Sequence, residues 1–138
     1  MDPRSRARQV ALQLLYQRDL NPSAPRDGIE WFVHERLNNP SAETFCLGLF
    51  DGAVANAETV DRHITEAAEN WRLARMAPVD RNVLRLGAYE LLFTPETPAS
   101  VVLNEAIELA RRYGSVNSPS FVNGVLDRVR SHIAVPSS

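Results

Sequence analysis

The chain has 138 residues, of which 44% are apolar and 23% charged, and its formal net charge is −2. This composition excludes a disordered or low-complexity protein, and the length suits one compact globular unit. No apolar run approaches the roughly 20 residues that cross a bilayer, and the first ten residues lack the apolar core of a signal peptide. We therefore expect a cytoplasmic protein.

The first part of the chain is predicted to form two helices. Apolar residues recur at helical spacing from Ser5 to Leu20, and Asn21-Pro22 ends this segment. A shorter helix is predicted at 29–37, before the break at 38–40.

The middle of the chain is predicted to continue as helix. Ser41 is a candidate N-cap, and helical spacing then extends to Ala67, as one long helix or as two helices on either side of Gly52. The residue before a proline disfavours the helical conformation, so Pro78 predicts a boundary near Ala77 and a new helix after it.

Two more helices are predicted in the C-terminal part. Ser100 is the candidate N-cap of the first and Gly114 marks its end, while Ser118 is the candidate N-cap of the second, with Pro119 at its first helical position. Gly124 interrupts the last helix at a cost of about 1 kcal/mol relative to alanine, which predicts close approach of a neighbouring helix. No segment alternates with the period of two that is typical of strands. The predicted fold class is all-α, with six or seven helices joined by short loops.

The sequence offers no convergent set of catalytic or metal-ligating residues. His34, His63 and His132 stand in separate segments, without the spacing that places two imidazoles on one helix face. Cys46 is the only cysteine, which excludes an internal disulfide or a cysteine-based zinc site and favours a reducing compartment. Its apolar neighbours favour a packing role over a nucleophile. We expect a protein that is not an enzyme and has no cofactor or metal.

Positive charge is concentrated at the N-terminus. Residues 1–18 carry four arginines against one aspartate, a net charge of +3, whereas residues 19–138 carry 11 arginines against 16 acids, a net charge of −5. Arg4, Arg6 and Arg8 either open the first helix or form a flexible arm, and Tyr16 lies on the same ridge as Arg8. Guanidinium groups bind phosphates and aromatic rings stack on the bases of single-stranded RNA. From the residues alone, an RNA-binding surface and a solvated terminus both stay open.

A second cluster of charged residues lies near the start of the helix predicted after Pro78. Asp80 in its first turn complements the helix dipole. Arg81 and Arg85 share a ridge and repel each other unless Glu90 or a partner lies close.

Four strings of the sequence resemble the signature of the NusB family of transcription antitermination factors. They are LNEAIELARRYG at 103–114, FVNGVLD at 121–127, DRNVLRLGAYEL at 80–91, and RAR at 6–8 with ALQLLY at 11–16. They span the chain in order, and the C-terminal strings are the most specific.

The resemblance implies an all-helical protein of about seven helices in two small bundles, at about 1–70 and about 71–138, packed as one NusB-like domain. It also implies a function. NusB-like proteins pair with NusE, a small-subunit ribosomal protein that doubles as a transcription factor. The pair binds the boxA element of nascent RNA, so that RNA polymerase reads through ribosomal RNA operons.

The resemblance further implies site residues. The residues that it assigns to RNA contact are Arg4, Arg6, Arg8, Tyr16, Asn117, Ser118 and Phe121. The residues that it assigns to NusE contact are Asp80 and Glu90. The N-terminal arginines are less dense than the uninterrupted run of some relatives, which implies weak RNA affinity without NusE.

Two alternatives stay open. Similar helical domains occur at the N-termini of ribosomal RNA methyltransferases, so one alternative is the RNA-binding domain of such an enzyme, although the chain has no glycine-rich cofactor loop. The other is a homodimer that hides the basic face until NusE arrives, and nothing in the sequence decides between monomer and dimer.

Overall fold

A computed structural model describes residues 2–134, which form seven α-helices and one short 3-10 turn at Leu73–Arg75. The helices are α1 (Pro3–Leu20), α2 (Arg26–Leu37), α3 (Pro40–Ala55), α4 (Ala57–Ala68), α5 (Pro78–Phe93), α6 (Ala99–Tyr113) and α7 (Ser118–Ala134). The described residues contain no strand, which confirms the all-α fold class. None of the helices in this range is long and apolar enough to span a membrane.

The chain divides into two compact units. The first ends at Ala55 and contains α1 to α3, and the second begins at Asn56 and contains α4 to α7. This division lies earlier than the boundary expected near residue 70, because α4 packs against α5 and α7. The segment after Ser41 therefore forms two helices, and the break lies at Asn56, a few residues beyond Gly52.

Prolines mark several of the helix starts. α1, α3 and α5 each begin at a proline, a residue that suits the first turn because its fixed φ is helical and its missing N–H is not needed there. The boundary predicted near Ala77 is confirmed. The N-cap predicted at Ser100 is wrong, because α6 already begins at Ala99, directly after Pro98.

The N-cap predicted at Ser41 is also wrong, because Asn39 caps α3. The Asn39 Oδ1 accepts a hydrogen bond from the Ala42 N–H at 3.2 Å, and the Glu43 carboxylate accepts one from the Asn39 N–H at 2.9 Å. Two donors at the helix start are thereby satisfied.

In the first unit, α1 packs mainly against α3, and α2 packs against both. The buried apolar residues are Ala7, Val10, Ala11, Leu12, Leu14, Leu15, Val33, Ala42, Cys46, Leu49, Phe50 and Ala53. From Ala7 to Leu12 every residue of α1 is buried, including Arg8 and Gln9. This stretch is therefore covered on all sides, rather than along the single apolar stripe that its sequence predicts.

Cys46 belongs to this core. Its side chain is 0% exposed, and burial raises the pKa of the thiol to about 12, with a further contribution from the charge of Asp51. The thiolate is the reactive form of cysteine, so a buried thiol with a raised pKa is inert. The predicted packing role of Cys46 is confirmed.

In the second unit, α5 packs against α4, α6 and α7. The buried apolar residues include Val60, Ile64, Val83, Leu84, Leu86, Ala88, Val102, Ala106, Val122, Leu126 and Val129. Gly87 lets α7 approach α5, because a Cβ built on Gly87 would lie 2.6 Å from the Leu126 Cδ1. The close approach predicted at Gly124 is wrong, since a Cβ there would have no neighbour within 4 Å.

An ion pair joins α4 to α5. The Arg85 Nε and Nη2 donate to the Asp61 Oδ1 and Oδ2 at 3.0 and 3.2 Å, and the two side chains are 22% and 30% exposed. The Arg85 Nη1 also donates to the buried Asn82 at 3.2 Å. Asp61 is therefore an acid that accommodates the charge of Arg85.

We expect Cys46 to react with an aromatic disulfide reagent only when the first unit opens. In the native state the thiol stays neutral up to about pH 12, whereas an unfolded thiol ionises near pH 8.5. The contribution of Cys46 to the free energy of unfolding is thus fully present below about pH 8.5 and is lost as pH rises toward 12.

The measurement that checks the burial of Cys46 is the labelling rate of its thiol at pH 8. A Ser23→Cys variant, exposed in the same unit, should label at once on its new thiol. Equally fast labelling of Cys46 would contradict its burial.

Replacing Gly87 by alanine should lower the free energy of unfolding by up to about 2 kcal/mol. Overpacking costs about 1–3 kcal/mol, and the gain of about 1 kcal/mol in helix propensity offsets part of this cost. Gly48→Ala in α3 is the control, because a Cβ at Gly48 has open space and should raise the free energy of unfolding. Urea denaturation followed by circular dichroism measures both. Equal effects of the two substitutions would show that Leu126 moves aside without cost.

Candidate nucleic-acid interface

The first candidate surface lies on the first turns of α1. Arg4 and Arg6 are exposed, and both belong to the helix rather than to a flexible arm. The Arg6 Nη1 donates a hydrogen bond to the Gln9 Oε1 at 3.1 Å, which holds this guanidinium beside the helix. Two cationic side chains are therefore reachable from solvent.

Arg8 is placed differently from these two arginines. It is only 3% exposed, because it shares a helix face with Leu12 and Leu15, which belong to the core. The guanidinium carbons of Arg8 and Arg4 lie 5.1 and 4.6 Å from the centroid of the Phe45 ring. An aromatic ring attracts a guanidinium over its face. The direct RNA contact predicted for Arg8 does not fit this burial, and the Phe45 ring is the group that holds Arg4.

Tyr16 lies further along the same helix. Its side chain is 39% exposed, and the 12 residues that separate it from Arg4 correspond to about 18 Å of helix. A strand of several nucleotides is needed to contact both residues. Its partial exposure leaves ring surface available for a base.

The second candidate surface lies where α7 begins. Asn117 is exposed, but Ser118 is only 1% exposed, and its Oγ accepts a hydrogen bond from the Ser115 N–H at 2.9 Å. Ser118 therefore stabilises the turn before α7, and the direct RNA contact predicted for it does not fit this geometry. Phe121 is partly buried and meets Trp71 edge to face, with ring centroids 5.7 Å apart and an interplanar angle of 72°.

Trp71 and Phe121 line a cleft of about 190 Å³ within the second unit. Other residues that line it are Glu69, Asn70, Ser120, Gly124 and Arg128. The Arg128 Nη1 donates to the Ala67 carbonyl oxygen at 2.8 Å, which satisfies an acceptor at the end of α4. Sequence reasoning missed Trp71 and Arg128. The only signals were an aromatic residue between two helices and a glycine inside the last one.

The two residues predicted to contact NusE differ in exposure. Asp80 lies in the first turn of α5 and is partly exposed, although its Oδ1 is buried without a hydrogen-bond partner among the described residues. Glu90 is only 2% exposed. It follows Val83 and Gly87 at helical spacing and so lies on the core-facing side of α5, and the direct NusE contact predicted for it does not fit this burial.

Residues 2–134 contain no group of three or more histidine, cysteine or acidic side chains that could hold a metal ion. The groups gathered at the two surfaces are guanidiniums, aromatic rings and amides. Their chemistry is suited to holding phosphates and bases by ion pairing, hydrogen bonding and stacking.

Comparisons with known proteins agree with the sequence motifs. The sequence profile of the NusB family matches residues 5–131. The chain is 44% identical over 133 residues to the transcription antitermination protein NusB of Sorangium cellulosum (strain So ce56), covering 96% of this chain and 95% of that protein. Among solved structures, T. maritima NusB is 38% identical with a TM-score of 0.83, covering 94% of this chain and 92% of that one.

A second solved structure is similar over its whole length. It is a chain in the crystal structure of antitermination factors NusB and NusE in complex with dsRNA, 31% identical with a TM-score of 0.86. The match covers 96% of this chain and 98% of that one. With a family match over nearly its full length and relatives well above 30% identity, this chain belongs to the NusB family.

Proposed function

We propose that this protein is a non-catalytic transcription antitermination factor that acts in the cytoplasm, pairs with NusE and binds boxA-type RNA of nascent ribosomal RNA transcripts. Its relatives carry the antitermination name, and a similar solved chain belongs to an assembly of NusB, NusE and RNA. The observation that carries RNA binding is the exposed pair Arg4 and Arg6 on α1. The match to 95% of a NusB protein favours this function over a methyltransferase domain.

The arginines of α1 have different roles in this proposal. Arg4 and Arg6 bind phosphates of the RNA strand, because exposed guanidiniums donate paired hydrogen bonds to phosphate oxygens. Phe45 supports Arg4 from the interior side, because its ring attracts the Arg4 guanidinium. Tyr16 supplies a face on which a base can stack.

The start of α7 contributes contacts of another kind. Asn117 is exposed and its amide can hydrogen-bond to a base edge, while Ser118 keeps the preceding turn in place. Phe121 offers the part of its ring that is not covered by Trp71.

We propose a single strand as the ligand, although the related assembly contains dsRNA. The bases of a duplex are stacked inside the helix, where Tyr16 and Phe121 cannot reach their faces. A duplex offers the arginines only its phosphates, so single-stranded boxA-like RNA should bind more tightly than the same sequence in a duplex.

NusE contact in this proposal involves Asp80. Its carboxylate is partly exposed at the first turn of α5, where a cationic side chain of a partner can pair with it. Glu90 supports α5 from the interior and does not face the partner.

Replacing Arg4 and Arg6 together by alanine should weaken binding of single-stranded boxA-like RNA and reduce its salt dependence. Each phosphate contact contributes about −0.7 to the slope of log K against log salt on single strands, so the slope should become less negative by about 1.4. Titration of a labelled oligonucleotide at several salt concentrations, with NusE present, measures both effects.

The control for this variant removes the same charge elsewhere. Arg36→Ala with Arg62→Ala changes two exposed arginines on α2 and α4 and should leave the slope unchanged. Thermal unfolding checks that both variants fold. Equal slopes for the two double variants would exclude the α1 arginines from the RNA interface.

Replacing Asp80 by asparagine should weaken pairing with NusE by about 1–2 kcal/mol, or about 5- to 30-fold, because it removes a charge-assisted hydrogen bond. Titration calorimetry with purified NusE measures the affinity. Glu96→Gln, an exposed acid in the turn after α5, is the matched control. Unchanged affinity of the Asp80 variant would place NusE on another surface.

A further inference from the structure

Trp71 is held in place but left largely uncovered. It follows the end of α4, where its backbone N–H donates to the Ala68 carbonyl oxygen at 3.0 Å. Phe121 contacts its ring edge to face. The side chain is nevertheless 56% exposed. Its indole N–H has no hydrogen-bond partner within residues 2–134. A large aromatic surface fixed in this way is typical of a binding position.

Gly124 keeps the cleft open beside Trp71. A glycine inside a helix costs about 1 kcal/mol relative to alanine, and nothing in this unit requires one, since a Cβ on Gly124 would have no neighbour within 4 Å. Gly87 differs, because there the side chain of Leu126 fills the space. At Gly124 the space is empty and belongs to the cleft of about 190 Å³.

Polar groups stand at the rim of the same cleft. One N–H of Arg128 binds the Ala67 carbonyl, so the guanidinium is oriented, and its other donors have no partner among residues 2–134. Asn70 and Ser120 also line the cleft. Glu69 balances the charge of Arg128, so the cleft carries no net charge and does not select a phosphate.

We propose that this cleft binds one unstacked nucleobase of the RNA strand, which stacks on Trp71 while Arg128 donates hydrogen bonds to its edge. The proposal rests on the proposed function and adds a base-binding position to it. A flat aromatic ligand with polar edges matches a cleft that combines aromatic rings, a guanidinium and amide groups. An apolar side chain of a protein partner would leave the polar groups of the rim unpaired.

The first test compares Trp71→Ala with Trp71→Phe in binding of single-stranded boxA-like RNA in the presence of NusE. Stacking on an aromatic side chain accounts for about 5- to 150-fold in affinity, so the alanine variant should bind more weakly by that factor. Phenylalanine keeps a stacking face and should restore most of the affinity. The salt slope should stay at the wild-type value in both, unlike the slope of the Arg4 and Arg6 variant.

Matched controls use the other exposed tryptophan and the open glycine. Trp31→Ala, at a residue 64% exposed on α2, should leave RNA affinity unchanged. Gly124→Leu places a side chain in the cleft from a Cβ that has no neighbour within 4 Å, and it should weaken RNA binding while raising helix propensity. Gly124→Ala should change RNA affinity much less than leucine does.

Fluorescence gives a readout that does not depend on affinity. The chain has two tryptophans, so a Trp31→Phe variant reports on Trp71 alone. Saturating RNA should quench this emission, because a stacked base lies against the indole. The reciprocal Trp71→Phe variant, which reports on Trp31, should show no quenching.

The outcomes separate this inference from the proposed function. If the wild type does not bind the RNA at all, the proposed function fails. If the wild type binds, Trp71→Ala binds equally well and Trp71 emission is unchanged, the base-binding cleft is overturned and the function stands. If Trp71→Ala instead weakens the affinity for NusE measured without RNA, the occupant is a protein side chain, and the inference is likewise overturned.

Discussion

Complete burial of the middle of α1 decides where this helix can offer positive charge to a ligand. Every residue from Ala7 to Leu12 is covered, so side chains that face solvent remain only toward the two ends of the helix. The arginines that the sequence gathers at the N-terminus are thereby separated. Arg4 and Arg6 face outward, whereas Arg8 becomes part of the interior. Burial along α1, rather than the number of arginines, sets the size of the cationic surface at the start of this helix.

The buried Arg8 and the exposed Arg4 both contact the ring of Phe45. An internal guanidinium is costly unless other groups compensate for the water that it loses, and the Phe45 ring is one such group. The same ring attracts Arg4 from one helical turn away. A guanidinium that is held before it meets a phosphate loses less conformational freedom on binding. The ring of Phe45, a residue of α3, thus connects the core of the first unit to the cationic surface.

Much of the helical architecture follows from local sequence, whereas the burial of charged residues does not. Helical spacing and Pro78 predict where α5 lies, because both act within a few residues of the chain. Gly87 and Gly124 look alike in sequence, and only the position of Leu126 from another helix distinguishes the packed glycine from the open one. Glu90 is buried for the same kind of reason. Family motifs predict which segments contain the candidate site residues. The exposure of each side chain depends on tertiary packing, which no motif contains.

The two candidate surfaces differ in the attraction that they can offer RNA. Arg4 and Arg6 attract RNA through their charge. Salt screens this attraction over about 8 Å at physiological ionic strength, and the attraction is the same for every phosphate. Charge alone therefore cannot favour one RNA sequence over another. Stacking and hydrogen bonding to bases can, and the groups able to provide them are the exposed rings and the amide and guanidinium groups near Trp71 and Asn117. In the function proposed here, preference for a particular RNA element arises from the second unit and Tyr16, while the first turns of α1 set the affinity and its dependence on salt.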